Sequence, residues 1–278
     1  MGLRLWRSRL ADVLTGVILV GLCMLMLIPF FWMLSTSLKQ AVEVYRVPIQ
    51  WIPSSPQWQN YPEGLARRDF GRYFLNSAIV AGTVTASTLF FASLAGFGLA
   101  KYDFIGRNVI FIGILSTLMI PFQVIMIPVF LLVRDLGWLD TYTGLIVPQA
   151  MTAFGVFLVR QYVITLPDSL LDAARIDGAS EPGIFFRIVL PLCKPVLSVL
   201  AIFTFRSSWD SLLWPLIVIS TDRLRTLPLG LSMFISDYDI EDHLMMAVAV
   251  AASMPVFILF MLAQRYFTEG IAISGMKG

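Results

Sequence analysis

The ionisable residues that interrupt the long apolar stretches of this sequence are the most chemically informative ones. Arg206 and Asp210 stand four positions apart, between the apolar runs 196–205 and 212–221. On a helix, residues at this spacing share a face and can form an ion pair. Two interpretations follow: a self-neutralised pair facing the interior of a helix bundle, or two groups that line a polar path.

Motifs for nucleotide binding or covalent catalysis are absent. The sequence contains no G-x-x-x-x-G-K-[ST], no G-x-S-x-G and no H-E-x-x-H. Gly96-Phe97-Gly98 lacks the rest of a dinucleotide fingerprint and is expected to allow close helix packing instead. Cys23 and Cys193 form no ligand pattern, and His243 is the single histidine. We therefore expect no catalytic residues and no metal site.

The composition indicates a membrane protein. Hydrophobic residues make up 58% of the 278 residues and charged residues 14%, against about 45–50% and about 25% in soluble domains. The mean hydropathy is +0.79. One soluble core could not bury this much apolar surface, which excludes a soluble enzyme and a disordered chain. The net charge of +2 gives no indication of nucleic-acid binding.

Six apolar stretches are long enough to cross a bilayer, which needs about 20 residues. We therefore predict an all-α membrane protein with one transmembrane domain over residues 1–278. Lys and Arg are more frequent in the segments placed inside when both termini are inside, so we predict an N-in/C-in orientation. The predicted spans are 13–34, 74–100, 109–133, 141–159, the interrupted 196–221, and 244–264.

The segments between spans differ in character. The outer loop 36–73 contains four prolines and two tryptophans, which predicts an irregular, partly interfacial segment. The inner loop 165–195 is predicted to be structured. Pro167-Asp168-Ser169 is a helix-start signal, Gly178 a stop signal, and a second helix begins at Ser180 and ends or kinks at Pro191. The outer loop 222–243 and the tail 265–278 are polar.

The inner loop also carries a spaced motif. Asp172-Ala173-Ala174 is followed after three residues by Gly178, and after nine more by Ile188-Val189-Leu190-Pro191. This resembles the EAA motif of ABC-importer permeases, with Asp172 where that family usually has Glu. The substitution keeps the charge and shortens the side chain by one methylene group.

Other segments extend the resemblance to the carbohydrate-type permeases, and most closely to the smaller permease of maltose-type importers. They are Asn76-Ser77, the tryptophan-rich run 209–216, the run 227–231, the run 264–267, Gly270 and the final four residues 275–278.

The resemblance implies an ABC-importer permease fold and a set of partners. These are a second homologous permease, two cytosolic ATPase subunits that bind ATP and Mg²⁺, and an extracytoplasmic solute-binding protein. The chain itself would be a transport subunit with no cofactor and no enzymatic activity, in a bacterial or archaeal cytoplasmic membrane. The residues of the ATPase-coupling helix would be Asp172, Ala173, Ala174, Asp177, Gly178, Ile188, Leu190 and Pro191.

A docking role for this loop also fits the chemistry of its side chains. An apolar face could enter a groove on a partner, and charged residues could set the register at its rim. The residues expected to form the apolar face are Leu170, Leu171, Ile176 and Phe185. Those expected at the rim are Asp172, Arg175, Asp177 and Arg187. The resemblance further implies that the tail reaches the ATPases, the alternative being a disordered end. It also implies that the outer loop 222–243, with Met233 and Tyr238, faces the binding protein, the alternative being a plain connector.

The solute of such a permease would be a sugar, an oligosaccharide or a glycerol-phosphate-type molecule. Sugars need hydroxyl-matching polar groups and flat apolar faces. The alternative function is a stand-alone secondary transporter or channel, with an intramembrane enzyme third. The substrate-path candidates are Asn76, Gln123, Gln149, Thr152, Ser208, Trp209 and Asp210, with Thr83, Ser87, Thr117 and Trp214 as further positions.

Overall fold

The computed structural model describes residues 2–236 and 241–275, with side chains for 12–234 and 241–262. These residues form α-helices, 3₁₀ turns and one π turn, Phe185–Val189, and no strand. The α-helices are α1 (Gly2–Ser37), α2 (Ala41–Val44), α3 (Asn60–Ala66), α4 (Phe70–Lys101), α5 (Arg107–Thr117), α6 (Phe122–Asp135), α7 (Tyr142–Ile146), α8 (Ala153–Ile164), α9 (Asp168–Ile176), α10 (Glu181–Ile184), α11 (Leu190–Leu192), α12 (Lys194–Trp209), α13 (Leu213–Val218), α14 (Leu227–Ser232) and α15 (Asp242–Gly275).

Three of the predicted spans are single helices long and apolar enough to cross a membrane. They are Asp12–Ser37 in α1, Phe70–Lys101, and Asp242–Leu262 in α15. Three bent helix pairs pass the same test of length and composition, so the described residues provide up to six spans.

The third predicted span is not continuous, contrary to the expectation of one helix over 109–133. α5 and α6 meet at 101°. Pro121 stands just before α6 with extended backbone. A proline has no N–H to donate to the preceding turn and disfavours helical geometry in the residue before it, which accounts for the break. α7 with its 3₁₀ turn and α8 are bent less, by 42°.

The fifth span also differs from its prediction. Helix α12 begins at Lys194, and the segment Glu181–Leu192 meets it at 77°. The backbone N–H of Leu190 bonds to the carbonyl of Phe185, five residues back. This π turn comes just before Pro191, which has no N–H for the regular helical bond. The break falls at Cys193, two residues beyond the predicted kink.

One compact unit comprises Phe70–Ser232 with Met254–Gly278. At its centre α4 packs against α8 and α12. A Cβ on Gly96 would lie 2.9 Å from the backbone N of Arg160 and from a methyl carbon of Val159. Gly96 therefore permits the close approach of α4 and α8, as the sequence predicted.

The other unit comprises Met1–Asp69 with Met233–Ser253. The buried Asn60 side chain donates hydrogen bonds to the carbonyls of Ser37, at 2.9 Å, and Lys39, at 2.8 Å. These bonds connect the end of α1 to the start of α3. A Cβ on Gly64 would lie 2.9 Å from the carbonyl oxygen of Leu244, so α3 also packs closely on α15.

Candidate functional site

The motif glycine lies in a sharp turn after α9. Gly178 has φ +79°, in the left-handed region that glycine adopts without steric cost. Its N–H donates to the carbonyl of Arg175 at 3.0 Å, and the N–H of Ala179 donates to Ala174 at 2.9 Å. This pair of bonds is a Schellman motif, which satisfies the last carbonyls of the helix and reverses the chain. The predicted stop at Gly178 is confirmed.

The apolar side chains of this segment divide between the chain's own core and its surface. Leu171 and Phe185 are buried, together with Ala174, Ile184 and Val189, in a cluster that includes Phe97 of α4. The expectation that Leu171 and Phe185 face a partner is therefore wrong, because they hold α9 and the following turn onto this chain. The exposed apolar residues are Leu170, Ile176 and Phe186, and Ile176 is 87% exposed.

An ion-pair network crosses the Gly178 turn. Arg175 bonds to Asp172 at 3.0 Å and to Glu181 at 2.8 Å, and Tyr102 also donates to Glu181. The hydrogen bond to Glu181 is the main cause of the raised pKa of Arg175. Burial, and then the bond to Glu181, raise the pKa of Tyr102. Arg175 and Asp172 therefore bond within the segment, whereas sequence analysis assigned both to a partner.

The remaining motif residues follow from this geometry. Ala173, Asp177 and Pro191 are exposed, whereas Ile188 and Leu190 are partly buried against the core. Arg187 is exposed. The first part of the motif is therefore a short helix and a turn at the surface. Ile188 and Leu190, later in the motif, pack against the core and attach this segment to it.

A cavity of about 680 Å³ lies among the membrane-spanning segments of the same unit. It brings together four of the positions that the sequence predicted for a solute path, Gln149, Thr152, Ser208 and Trp214. The full lining is Val84, Phe122, Pro148, Gln149, Met151, Thr152, Phe154, Phe203, Thr204, Ser207, Ser208, Ser211 and Trp214.

The polar side chains that line the cavity differ in their hydrogen bonding. Thr152 Oγ1 accepts from Gly155 N at 3.1 Å and caps α8. Gln149 donates to the carbonyl of Leu145 at 2.9 Å. Ser208 is 9% exposed, and its buried hydroxyl has no hydrogen-bond partner among the residues that the structure describes. A buried unpaired hydroxyl is costly, and because this oxygen is covered in the present conformation, a polar solute could bond to it only after neighbouring groups move.

Sequence analysis missed three polar residues of this lining, Thr204, Ser207 and Ser211. They stand with Ser208 at spacings of three and four along α12 and just beyond it. That spacing places them on one face of a helix, which is the signal that could have identified them.

Other candidates lie outside the cavity. Asn76 is 1% exposed and bonds to the carbonyls of Arg223 and Arg225 and to Tyr142, so it connects segments. Trp209 is buried and stacks on Phe205, with ring centroids 5.5 Å apart. The remaining candidates are Gln123, Thr83 and Thr117, which are exposed, and Ser87, which is half-buried and bonds within α4.

The ion pair that the sequence predicted is present. Arg206 Nε lies 3.5 Å from Asp210 Oδ2. The two side chains are 67% and 58% exposed, so the pair does not face the interior of this chain's bundle as the first interpretation expected. Asp210 lies at the C-terminal cap of α12.

Two predicted contact regions are only partly within the described residues. Met233 begins a 3₁₀ turn, Met233–Ser236, and Tyr238 lies outside the described residues. The backbone from Gln264 to Gly275 belongs to α15. Met276, Lys277 and Gly278 lie outside the described residues.

Comparisons with known proteins agree with this geometry. A family model described as "Binding-protein-dependent transport system inner membrane component" matches residues 89–273. The arabinooligosaccharides transport system permease protein AraQ of Bacillus subtilis (strain 168) is 40% identical over 261 residues, covering 92% of each chain. The sn-glycerol-3-phosphate transport system permease protein UgpE of Pectobacterium atrosepticum is 33% identical, covering 95% of this chain and 96% of its own.

A solved structure supports the same fold. It is described as a bacterial ABC transporter involved in the import of the acidic polysaccharide alginate. The matched chain superposes with a TM-score of 0.85 at 25% sequence identity, over 93% of this chain and 97% of the other.

Proposed function

The chain belongs to the family of binding-protein-dependent transport system inner membrane components and to its carbohydrate-type ABC importer permeases, and on that premise we propose that it imports a neutral oligosaccharide. Hydrolysis of ATP on partner subunits would drive import through the Gly178 turn. The observation that carries this proposal is the exposed Schellman turn, held on the core by Leu171 and Phe185 and presenting Ile176 outward.

The path from the turn to the cavity is short and helical. The segment Glu181–Leu192 leads through the bend at Cys193 directly into α12. About three turns further along α12 come Thr204, Ser207 and Ser208, which line the cavity. A displacement of the turn would therefore move residues that contact the solute.

The cavity chemistry favours a neutral sugar. None of the residues that line it in the described part of the chain is charged. Serine, threonine and glutamine groups can match sugar hydroxyls, and Phe154, which is 40% exposed, offers a flat apolar face. A glycerol phosphate would call for an arginine or lysine near its phosphate. We therefore favour an oligosaccharide, as in the name of the 40% identical arabinooligosaccharide relative.

The membrane arrangement belongs to the same proposal. The three single helices and three bent pairs would be six spans, with both termini inside and the turn facing the cytosol of a bacterial or archaeal cell. A second homologous permease, two ATPase subunits and an extracytoplasmic binding protein would complete the transporter.

The test is reconstitution of the chain with its partners in liposomes. Uptake of labelled oligosaccharides would be measured with and without ATP and binding protein, with glycerol 3-phosphate as a competitor. We expect uptake that needs both components and that glycerol 3-phosphate leaves unchanged. Uptake by the chain alone without ATP would overturn the proposal and favour a secondary transporter or channel. Strong inhibition by glycerol 3-phosphate would overturn only the proposal that the solute is neutral, and not the proposal of ATP-driven import.

A further inference from the structure

The segment between α1 and α3 presents an unusually apolar surface. Within residues 41–58, which we call the apolar loop surface, seven large hydrophobic side chains are between half and nine-tenths exposed. They are Val42, Tyr45, Val47, Ile49, Trp51, Ile52 and Trp58. Clusters of exposed apolar residues of this size mark contact with a membrane or a partner.

Two of the three charged side chains of this segment are directed inward. Residues 38–59 contain three charged residues. Lys39 is fully buried, with its Nζ 3.8 Å from the ring centroid of Trp32. Glu43 is 6% exposed and accepts hydrogen bonds from Ser54 and from the backbone N–H of Gln40. Arg46 alone is exposed, so almost all the charge of the segment is withdrawn from its surface.

The fold holds this surface in place without using its apolar side chains as a core. Ser35 donates to the carbonyl of Trp51, and Gln57 N donates to the carbonyl of Leu38 at 2.9 Å. The Asn60 bonds described above fix the same region. Two rings of the surface also contact aromatic neighbours, since Trp51 meets Trp32 edge-on with ring centroids 5.5 Å apart and Trp58 stacks on Tyr61 at 6.3 Å. Each of the seven hydrophobic residues nevertheless leaves half or more of its surface exposed.

We propose that the apolar loop surface lies in the lipid interface of the leaflet reached by the C-terminal end of α1. The surface begins four residues after Ser37, where the candidate membrane span Asp12–Ser37 ends, and is therefore continuous with a membrane-embedded surface. Tryptophan and tyrosine favour the depth of the lipid headgroups. An apolar surface with one basic residue, Arg46, suits acyl chains beneath phosphate groups.

This occupant is favoured over a second protein by position and charge. A docked binding protein would approach from the aqueous side, where exposed polar groups would be expected at the rim. The exposed part of this segment instead follows the apolar flank of α1, where most residues from Asp12 to Leu34 are exposed.

The experiment measures the depth of single spin labels on the assembled transporter in nanodiscs. Cys23→Ser provides the background, because Cys193 is buried. Labels are placed with Val47→Cys and Ile52→Cys, at positions 89% and 71% exposed. The control is Glu63→Cys on α3, whose side chain is 55% exposed. Collision rates are measured with oxygen, which concentrates in lipid, and with a water-soluble nickel chelate.

We expect an oxygen-to-nickel collision ratio several-fold higher at Val47 and Ile52 than at Glu63. Low collision rates with both reagents would mean that protein covers the surface, and high rates with nickel would mean that water does. Either result would overturn the proposal. Neither depends on solute or ATP, so the proposed transport function is tested separately.

A second measurement avoids labelling. Lipids brominated near the headgroup end of the acyl chain quench nearby tryptophans. The difference in quenching between the native chain and Trp51→Phe/Trp58→Phe isolates the two rings of the surface. We expect these rings to account for a substantial part of the quenching, and no difference would contradict a lipid location.

Discussion

Lys101 Nζ lies 2.6 Å from Asp168 Oδ1 and 2.6 Å from the carbonyl oxygen of Leu166. Lys101 is the last residue of α4, and Asp168 is the first residue of α9. The Lys101 side chain is 6% exposed and the Asp168 side chain 77%. The ammonium group is thus buried between two acceptors, and it joins the end of a membrane helix to the beginning of the proposed coupling helix.

Replacing Lys101 should uncouple ATP hydrolysis from transport. Lys101→Met keeps much of the stem's length and leaves the carbonyl of Leu166 without its donor, at a cost of about 1–3 kcal/mol. Asp168→Asn should have a smaller effect because that side chain is largely in water. We expect sugar taken up per ATP hydrolysed to fall in Lys101→Met. Arg134→Met, which breaks an exposed pair with Asp135, is the control, and an equal loss there would contradict the assignment.

Substitutions of Gly178 should separate backbone strain from contact with a partner. A Cβ at this position would meet no described atom of this chain within 4 Å, but φ is +79°. Gly178→Ala should cost about 1–2 kcal/mol through the left-handed backbone, and Gly178→Asn less, since asparagine tolerates it. Gly178→Leu carries the same left-handed backbone strain as Gly178→Ala and adds a larger side chain. If the ATPase covers this turn, we expect ATPase pull-down to weaken in Gly178→Leu well beyond Gly178→Ala; equal binding by both variants would place the turn outside the joint.

Asn76 should contribute to stability rather than to solute recognition. Its side chain donates to the carbonyls of Arg223, at 3.0 Å, and Arg225, at 2.8 Å, and accepts from the Tyr142 hydroxyl at 2.6 Å. Asn76→Ala leaves these groups without their partner, so we expect a loss of several kcal/mol. Tyr142→Phe removes one of the three bonds and should cost about 1 kcal/mol. Thermal unfolding of the assembled complex measures both, and an altered apparent KM with unchanged melting would instead indicate solute contact.

The Ser208 hydroxyl should contribute to the solute path. Ser208 lines the cavity, and its buried oxygen has no hydrogen-bond partner within the described part of the chain. Ser208→Ala removes this unpaired group, so stability should be unchanged or slightly raised, while transport of the oligosaccharide weakens. Ser198→Ala, earlier on α12, removes a hydroxyl that bonds to the carbonyl of Lys194 and serves as the control. A cavity role predicts a higher apparent KM in Ser208→Ala alone, and unchanged uptake in both variants would argue against it.

Two glycines of α4 offer a matched test of helix packing. A Cβ at Gly96 would approach Val159 and Arg160 to 2.9 Å, whereas one at Gly98 would meet none of the described residues within 4 Å. Gly96→Ala should destabilise the unit by about 1–3 kcal/mol through overpacking. Gly98→Ala should be neutral or stabilise by about 0.5–1 kcal/mol, because alanine favours a helix over glycine. The melting temperatures of the two variants should therefore move apart, and similar shifts would mean that α4 and α8 are not in close contact.

Local and compositional signals in the sequence determined the helical class, the three uninterrupted spans and the turn after α9. These features depend on hydrophobicity over about 20 residues and on glycine at one backbone position. The spacing of the motif likewise identified the family, because all of its residues lie within the single short segment from Asp172 to Pro191.

Only the tertiary structure decided which side of each element is buried. Leu171 and Phe185 had the pattern of a docking face, but both are buried in the cluster that includes Phe97 of α4. The ring centroids of Phe97 and Phe185, which are distant in sequence, lie 5.8 Å apart. The sequence made Asn76 a candidate for the solute path, but in the structure its side chain donates to the carbonyls of Arg223 and Arg225. The cavity needs α8, α12 and α13 together. Such pairings depend on how helices pack and bend at Pro121 and Cys193, and the hydrophobic pattern of a single segment does not specify them.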